Sequence, residues 1–394
     1  MKKFLFVITL FISTLTANSI DTLVNSAILK NSELKSIEKS IMIANENILL
    51  ATKYSNPTLS LGLTDIHTNE NYNKRDLEPM QAQSIGITQA IPITDKLEIN
   101  QSIQITNKTI LALSLEDKKL LLKSKIYELA YKIAILKEKR DFIIKQKQNL
   151  KKIEKLQNYK YQTSNIDVKS LFDTKIATKS FDIVLNNLDT NIQTLKLNLE
   201  EITYKNINNI KINTNIDKKY INLKFDNHPK IKALQQQLKL NKQQEAFEEA
   251  SKTSDIKLNA TYFNRREFQD YVNISVSIPL SIYNTENIKV KKAQLEYLKT
   301  KDDLQTLKQN FIISNKILQK ELDNSYKNHE LISKDIISLQ KAIEKSLNIN
   351  NRFKNNTTKI IQNLNKTISL KIAALDEKTK YFTALSKAIY YEGK

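Results

Sequence analysis

Apolar and polar side chains alternate one by one in two pairs of short runs, at about 57–65 and 83–93 and again at about 256–264 and 271–280; in the long stretches that follow each pair, apolar residues recur every three or four. The first rhythm belongs to strands, the second to helices. Leu59, Leu61 and Leu63 oppose Thr58, Ser60, Gly62 and Thr64. Ile85, Ile87, Ile91 and Ile93 oppose Ser84, Gly86, Thr88 and Ala90. In the later region Ile256, Leu258, Ala260 and Tyr262 oppose Lys257, Asn259 and Thr261. Val272, Ile274, Val276, Ile278 and Leu280 oppose Asn273, Ser275 and Ser277. Strands are expected at about 57–65, 83–93, 256–264 and 271–280.

A half-buried soluble sheet alternates in the same way. Small hydroxyl residues on the polar side, and runs of about 8 to 10 residues, favour a barrel wall between lipid and a wet lumen, because a tilted spanning strand needs ~9–11. The side chains expected to face lipid are Leu59, Leu61, Leu63, Ile85, Ile87, Leu258, Tyr262, Val272, Ile274, Val276 and Ile278. Tyr54, Tyr72, Phe263, Phe268, Tyr271 and Tyr283 lie near strand ends, where interfacial aromatic girdles sit. An open sheet edge cannot face lipid, and four strands fall short of the ~8 in the smallest barrels. Such strands close only if several copies of the chain share one barrel.

The helical stretches keep a seven-residue repeat. Leu122, Leu129, Leu136, Ile143 and Leu150 are spaced by sevens, with Ile126 and Ile133 in the intermediate seam. After the polar cluster Tyr161-Gln162-Thr163-Ser164-Asn165, Leu185, Leu188, Ile192, Leu195, Leu199 and Ile202 alternate by three and four. A second set follows with Ile332, Leu339, Ile336 and Ile343, then Ile361, Ile368, Leu375, Phe382 and Ile389 beyond Asn355-Asn356-Thr357-Thr358. Sustained heptads mean supercoiled helices packed knobs-into-holes. Each arm reads as an antiparallel pair turning at its polar cluster. The limb from Lys96 to Tyr161 would span ~100 Å if continuous, far longer than a globular core can use.

These patterns come twice. Ala51-Thr52-Lys53-Tyr54-Ser55-Asn56 leads into the first strand as Ala250-Ser251-Lys252-Thr253-Ser254-Asp255 leads into the third, and the second and fourth strands close on Ile91-Pro92 and Ile278-Pro279. The offset between copies is 199 at Ala51 and Ala250, 187 at Pro92 and Pro279, and 193 at Leu171 and Leu364, so length differences fall in the strand connection and the arm. The fold class expected is mainly α with a small membrane β-barrel portion, built from two tandem repeats of helix, β-hairpin and long antiparallel coiled-coil hairpin. The expected divisions are an export signal at 1–19, a first repeat at 20–205 with its arm from about 96, a connector at 206–227 and a second repeat at 228–394 with its arm at about 286–391.

Composition narrows this further. Met1-Lys2-Lys3, the mostly apolar Phe4 to Leu15 and the small residues Ala17-Asn18-Ser19 read as a cleaved export signal, too short to span a membrane. Zero Cys excludes disulfides, thiolate metal sites and a lipidated N-terminal Cys. The net charge of +20 comes mostly from scattered lysines in a chain rich in Asn and Ile, and no basic segment interleaves with aromatics as a nucleic-acid platform would. Only 3 Gly and 5 Pro leave few corners, which disfavours sandwiches and α/β enzymes.

Several motifs then fall in a specific order: Asn56-Pro57 opening the first hairpin, the closures Ile91-Pro92 and Ile278-Pro279-Leu280, and His228-Pro229 opening the second repeat. The tip segments Asn165-Ile166-Asp167-Val168-Lys169-Ser170-Leu171 and Arg352-Phe353 through Leu364 complete the set. With them the chain resembles the TolC family of outer-membrane efflux proteins over essentially its whole mature length. The resemblance implies a homotrimer whose copies share one outer-membrane barrel and whose α/β-barrel tunnel projects into the periplasm of a Gram-negative cell. It implies a passive exit channel working with a periplasmic adaptor (a membrane fusion protein) and an inner-membrane efflux pump, exporting drugs, metals or other small molecules. A type I protein-secretion channel is the alternative within the class.

The resemblance also places Thr163, Ser164, Asn165, Asn356, Thr357 and Thr358 at the periplasmic tips that contact the adaptor, and Gln362 and Asn365 at the entrance constriction. Opening would occur by one helix of a pair shifting at those tips. Two departures stand out. Thr163 and Asn356 occupy places where the family usually has Gly, and Gln362 and Asn365, flanked by Lys359 and Lys366, replace the acidic residues of the family's namesake. A cation-favouring carboxylate ring is therefore not expected there.

No catalytic residue, cofactor or metal site is expected. His67, His228 and His329 are isolated, with solvent-facing or capping roles expected, and no G-x-S-x-G, HExxH or phosphate loop occurs. From another class, a periplasmic coiled-coil scaffold or adaptor remains open. An adaptor would carry a compact β-rich domain with Gly-rich turns between its arms, which this sequence lacks.

Overall fold

The computed structural model describes residues 18–66, 68, 74, 77–163, 168–221, 225–351 and 357–393. The described residues begin with β1 (Asn18–Ser19), α1 (Ile20–Lys30) and α2 (Ser32–Leu50), then the hairpin β2 (Thr58–Thr64) and β3 (Ala82–Ile91). Two long helices follow, α3 (Lys96–Thr163) and α4 (Val168–Thr203), and then the short β4 (Ile210–Lys211). The order repeats with α5 (Pro229–Ala250), the hairpin β5 (Ile256–Asn264) and β6 (Tyr271–Ser277), and α6 (Thr285–Glu330). A π-helical segment, Leu331–Ile336, joins α6 to α7 (Ile337–Asn351), and α8 (Thr357–Glu392) ends the chain. The duplication read in the sequence is thus realised as two rounds of helix, hairpin and helical arm. The export-signal residues up to 17, His67 and Tyr72, and the tip residues Ser164, Asn165 and Asn356 lie outside the described residues.

One compact unit comprises Ser36–Leu115 and Pro229–Lys308. It holds a four-stranded antiparallel sheet in the order β2-β3-β5-β6, so the two hairpins lie side by side through β3 and β5. Its helices meet through polar contacts. Thr106 donates to Gln243 at 2.8 Å, Asn241 donates to Thr300 at 2.7 Å, and Lys96 donates to Asp255 at 2.5 Å. Pro229 begins α5, a position where its missing N–H and fixed φ cost nothing.

The other unit comprises Met1–Lys35, Glu116–His228 and Gln309–Lys394. Its heptad residues do what the pattern asks. Ile126, Leu129 and Ile133 of α3 pack with Leu23, Val24 and Ala27 of α1 and with Ile192 and Leu199 of α4. Farther along, Ile143 and Leu150 meet Phe181 and Leu188 of α4 and Ile368 of α8. Each fully buried Ile or Leu contributes roughly 1.5–3 kcal/mol by leaving water. The Asn-rich segment after α4 is pinned to these helices. Ile207 and Ile221 are buried, β4 pairs in parallel with β1, and the buried Tyr381 hydroxyl donates to the Asp217 carbonyl at 2.5 Å. Burial, with Asp217 nearby, pushes that phenol up to about 12.

The second arm departs from expectation. Leu339 and Ile343 were expected in its seam, yet both are exposed, and Gln340 between them is buried. The cause is the π segment that precedes them. One extra residue in a turn rotates everything after it by about 100°, which carries Leu339 and Ile343 outward and Gln340 inward. Gln340 is satisfied there by donating to the Asn363 side chain of α8 at 2.5 Å. The heptad recovers on α8, where Ile361, Ile368, Leu375 and Phe382 are all buried.

Candidate functional site

Cross-strand register decides which side chains share a face of the sheet, because directly paired residues point the same way. One row runs Leu59, Ile87, Ala260, Ile274; the next runs Leu61, Ile85, Tyr262, Val272; a third pairs Gln89, Leu258 and Val276. All eleven side chains expected to meet lipid are exposed, from Leu258 at 40% to Ile274 at 75%. Ten of them lie on this one face, and Ile278 follows the end of β6. The opposite face carries Thr58, Thr88, Asn259 and Ser275 in one row and Ser60, Gly86, Thr261 and Asn273 in the next.

Gly86 sits tightly in that polar row: a Cβ there would lie 2.6 Å from the Thr261 hydroxyl and 2.8 Å from that of Ser60. Gly62 is similar, with the Ser84 hydroxyl at 2.7 Å from the Cβ position. Side chains at either place would push the hydroxyls aside, so the polar face stays lined by small groups.

Among the described residues the outer strands β2 and β6 pair on one side only, with β3 and β5 respectively. Neither carries a charge, a Pro or a bulge to discourage further pairing: β2 reads TLSLGLT and β6 YVNISVS. Edges of this kind are templates for joining another strand. No helix among the described residues is long and apolar enough to cross a membrane.

At the arms, Thr163 is the last residue of α3, and Thr357 and Thr358 open α8. Gln362 and Asn365 come together along a cleft of about 400 Å³ between α4 and α8, with Asp173, Ile176, Ala177, Ser180 and Phe181 across from them. The sequence pattern missed Asp173, which restores a carboxylate beside the two amides from a helix of the other arm. Only tertiary packing brings it there, so no local spacing could have revealed it.

Of the two roles expected for His228, solvent-facing or capping, the structure gives the second: the residue is buried and its ring caps the last turn of α8. Its Nε2 lies 2.9 Å from the Tyr390 carbonyl, which can only accept, so Nε2 carries the proton. The ring meets Phe311 and Tyr390 edge-on at 4.8 and 4.9 Å. The Tyr390 hydroxyl donates to Asp117 at 2.8 Å, and burial, helped by that bond, pushes the phenol far above its ordinary range. The cluster ties the end of the connector to α3, α6 and α8, a structural duty rather than a chemical one.

No known family profile matches the sequence, and no curated protein does. Solved structures do. The open-state MtrE outer-membrane channel of Neisseria gonorrhoeae is 11% identical, with 95% of this chain and 88% of that one aligned at a TM-score of 0.77. The CmeC outer-membrane channel of Campylobacter jejuni is 12% identical over 95% of this chain and 85% of that one, at 0.72. A membrane protein of Pseudomonas aeruginosa is 9% identical over 95% and 92%, at 0.78. At such identities the likeness is one of architecture: this chain has the fold of the outer-membrane channels, mostly helix with one small antiparallel sheet.

Proposed function

We propose that the chain is the outer-membrane exit duct of a three-part export machine, a passive wall through which a pump drives its cargo. The observation that carries the reading is the sheet. It has one apolar, exposed face, one hydroxyl-lined face and two uncharged, unpaired edges, on a fold shared with solved outer-membrane channels. In lipid those edges must be satisfied, and strands from other copies satisfy them. Three copies would close a twelve-stranded barrel with Leu61, Ile85 and Ile274 toward lipid and Ser60, Thr88 and Ser275 toward the lumen.

The helical arms then stand in the periplasm, with Thr163 and Thr357 near the tips that meet an adaptor. Gln362, Asn365 and Asp173 would border the entrance, where a shift of α8 against α4 opens the way. Drugs, metals or other small molecules are the cargo class that the resemblance noted in the sequence implies.

The test is fractionation followed by conductance. The protein should leave outer-membrane fractions only with detergent and should form channels in planar bilayers, and cross-links between copies at Thr163→Cys and Thr357→Cys should close them. Recovery from periplasmic extracts without detergent would support a soluble scaffold instead.

A further inference from the structure

The polar face of the sheet is not uniform from end to end. Most of its rows hold Ser, Thr, Asn, Gly or Ala, but the row next to the β5–β6 turn runs Gly62, Ser84, Phe263, Tyr271. Phe263 and Tyr271 were expected in an interfacial girdle facing lipid. Their register puts them on the hydroxyl face, opposite Tyr262 and Val272. The two rings stack with centroids 4.7 Å apart and planes 8° from parallel.

The stack is braced. The Arg265 guanidinium lies 5.2 Å from the Tyr271 ring centroid and 5.9 Å from that of Phe268. Its Nε and Nη2 donate to the Gln269 carbonyl at 2.8 and 2.6 Å, and Nη1 donates to the Pro79 carbonyl in the other hairpin's loop at 3.2 Å. Asp270 locks the same turn by accepting from the Arg265 backbone N–H at 2.8 Å, from Asn264 at 3.1 Å and from the Tyr262 hydroxyl. An arginine fixed by three carbonyl contacts over a stacked pair holds the rings in place, where free side chains would swing aside.

All four strands join their helices at the opposite end of the sheet from these turns, because α2, α3, α5 and α6 adjoin the outer termini of the hairpins. If the helices are periplasmic, the Phe263–Tyr271 row sits at the cell-exterior mouth. We infer that Phe263, Tyr271 and the bracing Arg265 form, once per subunit, an exit-side constriction of the lumen that limits the size of solutes passing the mouth. This rests on the duct reading above and adds to it a second narrow point, apart from the helix tips.

The cysteine-free chain allows a direct test in intact cells. A cysteine at Ser275→Cys lies on the polar face two rows deeper than the aromatic row. A small methanethiosulfonate added from outside should label it quickly, and a bulky maleimide slowly. Adding Phe263→Ser and Tyr271→Ser should raise the bulky reagent's rate at least ten-fold and leave the small reagent's rate unchanged. Tyr271→Ser alone should give an intermediate rate, which keeps the test decisive if the double variant assembles poorly. Tyr283→Ser, an exposed aromatic beyond the other end of β6, should change nothing. A bulky-reagent rate indifferent to the ring substitutions would overturn the constriction while leaving the duct intact. Failure of the small reagent to reach Ser275→Cys at all would show that the polar face is not a wet lumen, and both readings would fall.

Discussion

In the first arm α3 runs unbroken from Lys96 to Thr163, whereas in the second the matching limb changes from α6 to π turns over Leu331–Ile336 before resuming as α7. The two limbs descend from one pattern, and their apolar residues keep the same sevenfold spacing in the sequence. They bury different things. Ile143 and Leu150 on α3 are fully enclosed, while Leu339 and Ile343 on α7 are exposed and an amide, Gln340, takes the inner position. A single extra residue in one turn changes which face of a helix looks inward, and spacing alone cannot register it. The difference also separates a stiff limb from one with a built-in irregularity, the sort of place where long helices bend.

The strongest way to break this contrast is a matched pair of truncations. Ile143→Ala should cost ~2–5 kcal/mol, because the emptied site lies inside a packed cluster. Leu339→Ala, in the matching limb of the second arm, should stay within ~0.5 kcal/mol. Thermal unfolding of the two variants side by side checks this, and equal losses would mean that Leu339 has a buried partner after all.

A smaller effect probes what the shifted phase has brought inside. Gln340→Ala should cost ~1–2 kcal/mol through the lost bond to Asn363. Restoring an apolar seam with Gln340→Leu should lose about as much, since the Asn363 side chain would be left facing it. A neutral outcome for both would show that the amide pair does not hold α7 to α8.

The mildest prediction concerns pH. His329 lies one residue before α6 ends at the π segment, and its pKa is lowered by burial, then by Lys378 and Lys371 of α8, with Glu138 and Glu330 acting in the opposite sense. A lowered folded pKa means the unfolded chain binds the proton more readily. Stability from this group is therefore full above the ordinary histidine value of about 6.5 and is lost as pH falls below it. Melting curves of the natural chain and His329→Gln should diverge between neutral and mildly acid pH, the natural chain losing more. Parallel curves would contradict the assignment.

Much of this molecule was open to reading because its patterns are long and repeated. Alternation at Leu59, Leu61 and Leu63, or at Val272, Ile274 and Val276, names a strand and a face in one step. The α3 heptads name a seam in the same way. Parity alone would also have put Phe263 and Tyr271 on the hydroxyl face, since Tyr262 and Val272 already occupied the other; proximity to strand ends was the weaker signal. What could not be read depends on contacts distant in sequence. The burial of His228 needs Tyr390 and Phe311, and Asp173 meets Gln362 only through the packing of α4 on α8. The π segment hides because Ile332, Ile336, Leu339 and Ile343 still look like a heptad.

The central claim is that the outer strands of different copies join into one barrel. Within a chain β2 and β6 are separated by two strands, roughly 14 Å at the usual spacing, whereas a disulfide needs Cα atoms within ~7 Å. The measurement is oxidation, in membranes, of chains carrying Ser60→Cys on β2 and, in turn, Asn273→Cys, Ser275→Cys or Ser277→Cys on β6. At least one pairing should run as a covalent trimer on a denaturing gel and return to monomer on reduction. Membrane-embedded protein that stays monomeric in every pairing would contradict the shared barrel.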